Sequence, residues 1–181
     1  MTSEGFCRYS VWVKKESIVL IGMAGAGKST IGLALARALS FSFTDLDVYI
    51  REKDHTTIQG ILDTRGEEAL LQLEEKRMYE ISLKRRVVAP GGSIVYLPNL
   101  MEYLKQHSVL VYLDETFDKV AERLKNALTR GIVGFKSKSL REIYDERRPL
   151  YAKYADITIV PEGKSAEQVV KEILETTHGR C

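Results

Sequence analysis

The sequence predicts one α/β domain built on a five-stranded parallel β-sheet with helices on both sides. Short apolar runs rich in β-branched residues recur along the chain, as expected for strands that are covered on both faces. Stretches with helical periodicity separate these runs, and strands that alternate with helices pair in parallel through right-handed crossovers. The predicted strands are residues 17–21, 41–44, 87–89, 109–113 and 157–160.

The segments between the predicted strands differ in character. The stretch 29–39 carries apolar residues at helical spacing and predicts an amphipathic helix. Residues 46–86 carry a long, mainly helical pattern interrupted at 63–66, which predicts an excursion of two or three helices. The segment 129–140 holds two glycines and several lysines and serines, which is typical of a mobile lid. Residues 1–16 lack helical periodicity and are predicted to form an extended leader before a single domain, 17–181.

Composition limits the possible functions. The 181 residues suit one domain with a substantial core, and 44% hydrophobic residues are typical of an ordered globule. The 27 basic and 25 acidic residues give a formal charge of +2, so bulk charge indicates neither a nucleic-acid nor a membrane partner. Two cysteines and three histidines match no disulfide or metal-ligand pattern. No signal peptide or membrane-spanning run of about 18 apolar residues occurs, so we expect a cytoplasmic protein, monomeric by default.

A phosphate-binding loop follows the first predicted strand. Residues 22–29 match G-x-x-x-x-G-K-[ST] and lie between a predicted strand and a predicted helix, which is the context that this motif requires. Glycines allow successive backbone N–H groups to surround phosphates, and the helix N-terminus adds a positive dipole end. Lys28 is expected to reach the β- and γ-phosphates of ATP and to take part in catalysis, and Ser29 to bind Mg²⁺. The predicted ATP-binding residues of the loop are Gly25, Ala26, Gly27, Lys28, Ser29 and Thr30.

Two acidic residues follow the second predicted strand. If the chain stays extended there, Asp45 and Asp47 point to the same side and face the phosphate loop. One carboxylate would then hold Mg²⁺ through water, and the other would orient or deprotonate an acceptor hydroxyl. A helix N-cap is the alternative role for such a pair.

The order of the motifs resembles that of the shikimate kinase family. The phosphate loop is followed by D-x-D, by G-E before a helix, by a Gly-Gly turn and by R-x-P-L-Y, and the resemblance extends from residue 17 to the C-terminus. It implies a P-loop NTPase fold and ATP- and magnesium-dependent phosphoryl transfer to a hydroxyl of a small molecule. It also implies residue roles: Asp45 near the magnesium ion, Asp47 as base and ligand of the shikimate hydroxyls, Gly91 and Gly92 in the substrate pocket, Arg147 on the substrate carboxylate, Arg130 as lid arginine over the phosphates, and Arg123 against the adenine.

The chain departs from the family pattern on the acceptor side. Leu71 stands where the family has a second arginine for the substrate carboxylate, and Ser93 stands where it has the third glycine of a triplet. The lid has Gly-Ile-Val at 131–133 after the arginine, where the family has P-L-L. Loss of a charged donor predicts weaker carboxylate binding, because such hydrogen bonds contribute roughly 1.5 to 3 kcal/mol each.

The sequence is therefore compatible with several functions. Shikimate is the first candidate acceptor, and another polyol, a sugar acid or a hydroxy amino acid is the alternative. A nucleotide-binding module without turnover is less favoured, because such a module needs neither Asp47 nor Arg130. A nucleoside monophosphate kinase shares the loop, but the acidic pair and the Arg147 motif favour a small-molecule kinase.

Overall fold

The computed structural model describes residues 15–125 and 131–178. Within these residues five strands form one parallel sheet with the order β2-β3-β1-β4-β5, which confirms the predicted fold class. The strands are β1 (Ser17–Ile21), β2 (Ser42–Asp45), β3 (Arg86–Ala89), β4 (Val109–Leu113) and β5 (Ile157–Ile159).

Helices connect the strands and cover both faces of the sheet. Alternation along β1 sends Ile18 and Leu20 into one core and Val19 and Ile21 into the other, because successive side chains of a strand point to opposite faces. Helices α1 and α7 close the first core, and helices α2 to α6 contribute to the second. The helices are α1 (Lys28–Leu39), α2 (Leu46–Asp54), α3 (Ile58–Glu80), α4 (Pro98–His107), α5 (Phe117–Lys125), α6 (Leu140–Tyr154) and α7 (Ala166–His178), with a 3₁₀ turn at Gly92–Tyr96.

The predicted excursion between β2 and β3 consists of α2 and α3. His55, with a φ of 52°, ends α2, and the Thr57 side chain caps α3 by accepting a hydrogen bond from the Gly60 N–H. Gly66 has a φ of 81° and a ψ of −179°, so it bends α3 at the predicted interruption. The long helical pattern is therefore interrupted at His55 and at Gly66, where the backbone adopts a positive φ.

Pairing shifts the edges of two predicted strands toward polar residues. Ser42 to Asp45 pair in parallel with Arg86 to Ala89, so β2 ends at Asp45 and β3 starts at Arg86. Hydrogen bonds of the ladder hold Asp45 and Arg86 in the sheet although the two residues are only partly buried. No helix in the described part of the chain is long and apolar enough to cross a membrane.

The strand order places the carboxyl ends of β1, β2 and β3 side by side. The chain moves to opposite sides of β1 in its two halves, and in open parallel sheets the crevice at such a reversal holds ligands. The phosphate loop, Asp45 and the Pro90–Gly91 turn all lie at this edge. Of the predicted leader, residues 1–14 lie outside the described part of the chain.

Candidate active site

The phosphate loop adopts a tight turn between β1 and α1. Gly25 and Gly27 have φ values of 83° and 96°, which side chains other than glycine rarely adopt, and the Ala26 N–H donates to the Met23 carbonyl across the turn at 3.1 Å. Lys28 is nearly buried, and its Nζ donates 2.8 Å hydrogen bonds to the Gly22 and Met23 carbonyls. Lys28 is the first residue of α1, and these two hydrogen bonds hold its ammonium group against the loop.

Residues of the phosphate loop and of α5 border a cavity of about 210 Å³, which is called the outer cavity below. Arg123 borders this cavity, its Nη1 donates a 2.8 Å hydrogen bond to the Gly25 carbonyl, and it lies 3.1 Å from Glu115 Oε2. Nearly half of the Arg123 side chain stays exposed, so its planar face is accessible to a ligand. Ala26 is buried in the core and does not line this cavity, so its predicted contact with ATP stays a prediction. The lining consists of Gly25, Gly27, Lys28, Ser29, Thr30, Arg123 and Leu124.

Ser29 of the phosphate loop contacts Asp45, the first residue of the predicted acidic pair. Its Oγ donates a 2.5 Å hydrogen bond to Asp45 Oδ2, while Asp45 Oδ1 accepts from the backbone N–H groups of Asp47 and Val48 at 3.1 and 3.3 Å. Asp45 is thus the N-cap of α2 and a partner of the loop at once. A hydroxyl and a carboxylate are oxygen ligands of the kind that Mg²⁺ prefers beside phosphates and water, so these residues fit a magnesium ion.

The extended conformation predicted for the acidic pair is wrong. The chain turns into α2 directly after Asp45, so Asp47 lies in the first helical turn, because capping satisfies backbone N–H groups that an extended chain would leave to solvent. Both carboxylates nevertheless line one cavity together with Lys28 and Ser29. The helix start, not strand alternation, brings Asp47 to the phosphate loop.

This main cavity has a volume of about 570 Å³ and is open to solvent. Gly91 and Gly92 form one wall directly after β3, and a Cβ atom at Gly91 would lie only 2.2 Å from Glu74 Oε1. At Gly92 a Cβ atom would come within 3.1 Å of both Arg147 Nη1 and the Tyr151 hydroxyl. Glycines at these positions therefore keep the wall in contact with charged and polar groups behind it.

Arg147 lies in α6 and reaches the same cavity, although its side chain is 1% exposed. Its Nη2 donates to the Val133 carbonyl at 2.8 Å, its Nε donates to the Tyr96 hydroxyl at 3.2 Å, and its guanidinium lies 5.0 Å from the centre of the Tyr96 ring. Arg148, the next residue, points away and forms a two-fold contact with Asp114 at 3.0 and 2.8 Å. Of these two arginines, Arg147 lines the cavity and Arg148 does not.

The predicted lid segment is described from residue 131 onward, and Arg130 lies outside the described residues. Gly131 packs against Ile58 and Leu62 of α3, where a Cβ atom would come within 3 Å of both side chains. Glu67 Oε1 accepts a 2.7 Å hydrogen bond from the Gly134 N–H, which gives the G-E motif a structural role. In this structure the described part of the segment is therefore fixed on α3.

The two acceptor-side departures occupy different places. Ser93 is buried at the cavity wall, and its Oγ donates a 2.6 Å hydrogen bond to Glu74 Oε2. Leu71 packs against the core and is not among the residues that line the cavity. Ser93 therefore changes the wall of the cavity directly, whereas Leu71 leaves the cavity without the side-chain contact that an arginine there would offer.

Sequence reasoning did not identify Glu74 or Tyr151 as site residues. Burial raises the pKa of Glu74 to about 7, and the Asp47 charge adds to this, whereas the Ser93 hydrogen bond and the charges of Arg147 and Lys28 lower it. The Tyr151 hydroxyl donates a 2.7 Å hydrogen bond to the Gly92 carbonyl and so links α6 to the glycine wall. Tyr151 could have been identified from the R-x-P-L-Y motif, of which it is the last residue. Glu74 belongs to no motif, so nothing in the sequence distinguishes it from the other glutamates of α3.

The fold and the site define a P-loop protein with a large cavity beside the phosphate loop. The family model described as shikimate kinase matches residues 24–178. The chain belongs to the shikimate kinase family.

Individual relatives support this assignment over nearly the whole chain. A shikimate kinase of Persephonella marina is 37% identical over 161 residues, which cover 88% of this chain and 97% of the relative. The structure of shikimate kinase from Acinetobacter baumannii in complex with shikimate has a TM-score of 0.84 at 31% identity and covers 91% of this chain and 94% of that one. Shikimate kinase from Aquifex aeolicus has a TM-score of 0.78 at 32% identity, with 90% and 96% covered.

Proposed function

We propose that the protein is an ATP- and magnesium-dependent kinase that phosphorylates a hydroxyl group of shikimate. The observation that carries this proposal is that Asp47, Lys28 and Arg147 line one cavity beside the phosphate loop. A base, a phosphate-binding cation and a carboxylate-binding cation are the groups that phosphoryl transfer to a hydroxy acid needs. Family membership and the likeness to a shikimate-bound kinase support the same acceptor.

The nucleotide half of the proposed site consists of the loop, Arg123 and Asp45. The backbone N–H groups at 25–30 would surround the phosphates, and Lys28 would exchange its loop carbonyls for β- and γ-phosphate oxygens. Arg123 would stack on the adenine, since its guanidinium is exposed beside the outer cavity. Ser29 and Asp45 would hold Mg²⁺, which when bound neutralises charge on the β- and γ-phosphates.

The acceptor half consists of Asp47, the glycine wall and Arg147. Arg147 would bind the carboxylate of shikimate, and Asp47 would accept the proton of the reacting hydroxyl. The hydroxyl oxygen then forms a bond to the γ-phosphorus, the bond from that phosphorus to the ADP oxygen breaks, and ADP leaves. Lys28 stabilises negative charge on the transferred group throughout. Arg130 is proposed to add to this stabilisation from the lid.

Water must be excluded while the phosphoryl group is transferred, because it competes with the acceptor. Gly131, Ile132 and Val133 already line the cavity, so the segment that carries Arg130 borders the acceptor side. Closure of residues 129–140 over bound nucleotide would complete the enclosure. This closure stays a prediction.

The test is ADP release from ATP and Mg²⁺ with a panel of acceptors: shikimate, gluconate, homoserine and nucleoside monophosphates. We expect turnover with shikimate that exceeds turnover with every other acceptor by at least about 100-fold, because Arg147 and Asp47 together match a hydroxy acid. Selective turnover with another acceptor would replace the proposed acceptor. Nucleotide binding without turnover on the whole panel would contradict the kinase assignment.

A further inference from the structure

A second arginine, Arg51, lines the main cavity one helical turn after Asp47. The two residues are four positions apart on α2, so their side chains emerge on the same face, with Cβ atoms about 6 Å apart. A six-membered ring with a carboxylate on one side and hydroxyls on the other has similar dimensions. Asp47 and Arg51 therefore offer complementary charges at a separation that suits such a ring.

The surroundings of Arg51 leave its guanidinium available to a ligand. Lys53, the other basic residue in the last turn of α2, points away from the cavity and binds Glu80 at 2.6 Å. By contrast, no group within residues 15–125 and 131–178 forms a hydrogen bond or an ion pair with Arg51, whose side chain is exposed. A cation that faces a cavity without a protein partner is a candidate for binding an anion.

The charges of the cavity create a need for such a cation. Asp47 and Glu74 line the acceptor side, and both oppose the entry of an anionic acceptor when they are ionised. Arg147 already donates to Val133 and Tyr96, which leaves only part of its guanidinium for a ligand. Lys28 is directed to the phosphate loop. Arg51 is the remaining cation among the described residues that line the cavity.

We propose that Arg51 binds the carboxylate of the acceptor and takes the part that the arginine at the position of Leu71 has in the family pattern. This proposal rests on the proposed function, since it presumes an acceptor with a carboxylate. Leu71 packs against the core instead of lining the cavity, so the second carboxylate contact comes from α2 and not from α3. The carboxylate of the acceptor would then lie between Arg51 and Arg147, and its reacting hydroxyl would lie at Asp47.

The test compares steady-state kinetics of the wild type and Arg51→Gln with shikimate and with its uncharged methyl ester. We expect Arg51→Gln to raise the KM for shikimate by about 10- to 100-fold, as for the loss of a charge-assisted hydrogen bond, while the KM for ATP changes by less than about 2-fold. With the methyl ester the two proteins should differ by less than about 3-fold, because the carboxylate charge is absent. Arg51→Lys should recover part of the affinity for shikimate.

Arg65→Gln is the matched control. Arg65 is also an exposed arginine, but it does not line the cavity, so its substitution should leave the KM for shikimate within about 2-fold of the wild type. An unchanged KM in Arg51→Gln, or equal losses with shikimate and the ester, would overturn the role of Arg51 and leave the proposed function intact. Failure of the wild type itself to phosphorylate shikimate would overturn the proposed function and the role of Arg51 with it.

Discussion

Ser93 Oγ donates a 2.6 Å hydrogen bond to Glu74 Oε2, and both side chains are buried at the wall of the acceptor cavity. A glycine at position 93, as in the family pattern, would provide no hydroxyl for this contact. The serine therefore supplies a donor to a carboxylate that burial would otherwise leave with less stabilisation of its charge. The residue at position 93 therefore influences the pKa of Glu74, which the Ser93 hydrogen bond lowers.

Glu74→Gln is expected to remove a pH-dependent part of the stability. The pKa of Glu74 is raised from 4.5 to about 7 in the folded protein, so the folded state binds more protons than the unfolded state between these values. Its contribution to the free energy of unfolding is therefore present below pH 4.5 and is lost as the pH rises through about 7, by on the order of 3 kcal/mol. Urea unfolding of the wild type and the variant at about pH 5 and pH 8 measures this difference.

The control for this experiment is Glu52→Gln, since Glu52 is an exposed glutamate on α2. It should leave the pH dependence of the wild type unchanged. Equal pH dependence in the wild type and Glu74→Gln would show that Glu74 has the same proton affinity in both states.

Asp47→Asn and Asp45→Asn are expected to affect different kinetic quantities. Asp47→Asn should lower kcat by at least about 100-fold and leave nucleotide affinity within about 3-fold, because general base catalysis contributes about this much. Asp45→Asn should instead raise the Mg²⁺ concentration needed for half-maximal rate, because Asp45 contacts the Ser29 hydroxyl. Initial rates at several Mg²⁺ concentrations, together with nucleotide-binding titrations, distinguish the effects of the two substitutions. A near-normal kcat in Asp47→Asn would exclude Asp47 as the base.

Arg147→Gln and Arg148→Gln form a matched pair of neighbouring substitutions. The first should raise the KM for shikimate by about 10-fold or more, because Arg147 faces the cavity. The second breaks the exposed contact with Asp114, so it should change the KM by less than about 3-fold and stability by about 1 kcal/mol or less. Thermal unfolding of both variants checks that the KM of Arg147→Gln reflects binding and not partial unfolding. Similar KM values for the two would contradict the role of Arg147.

Glu67→Ala is expected to loosen the segment that follows Arg130. The Gly134 N–H loses its side-chain acceptor on α3, and a hydrogen bond to a charged group contributes roughly 1.5 to 3 kcal/mol. Limited proteolysis should therefore cleave residues 131–140 faster in the variant than in the wild type, and bound ATP analogue should reduce the difference. Glu68→Ala, at an exposed position beside it, is the control. Equal cleavage rates in all three proteins would exclude Glu67 as an anchor of the segment.

Local patterns in the amino-acid sequence were enough to predict the fold class, the phosphate loop and the edge of the sheet that carries the candidate site. The loop could be predicted because its functional groups are contiguous, so its spacing alone specifies the turn from β1 into α1. Its motifs also indicated the family, whose order of motifs spans most of the chain. The monomeric state and the cytoplasmic location stay predictions.

The set of side chains that meet at the main cavity depends on how distant segments of the chain pack together. In the sequence Arg51 and Arg65 are both basic residues of the helical stretch between β2 and β3, and Glu74 is one of several glutamates in that stretch. The start of α2 at Leu46 turns Arg51 toward the cavity, and packing of α3 against the glycine wall buries Glu74 beside Ser93. Such side chains come from distant segments, and their contacts depend on helix rotation and burial, which local patterns of apolar and charged residues do not specify.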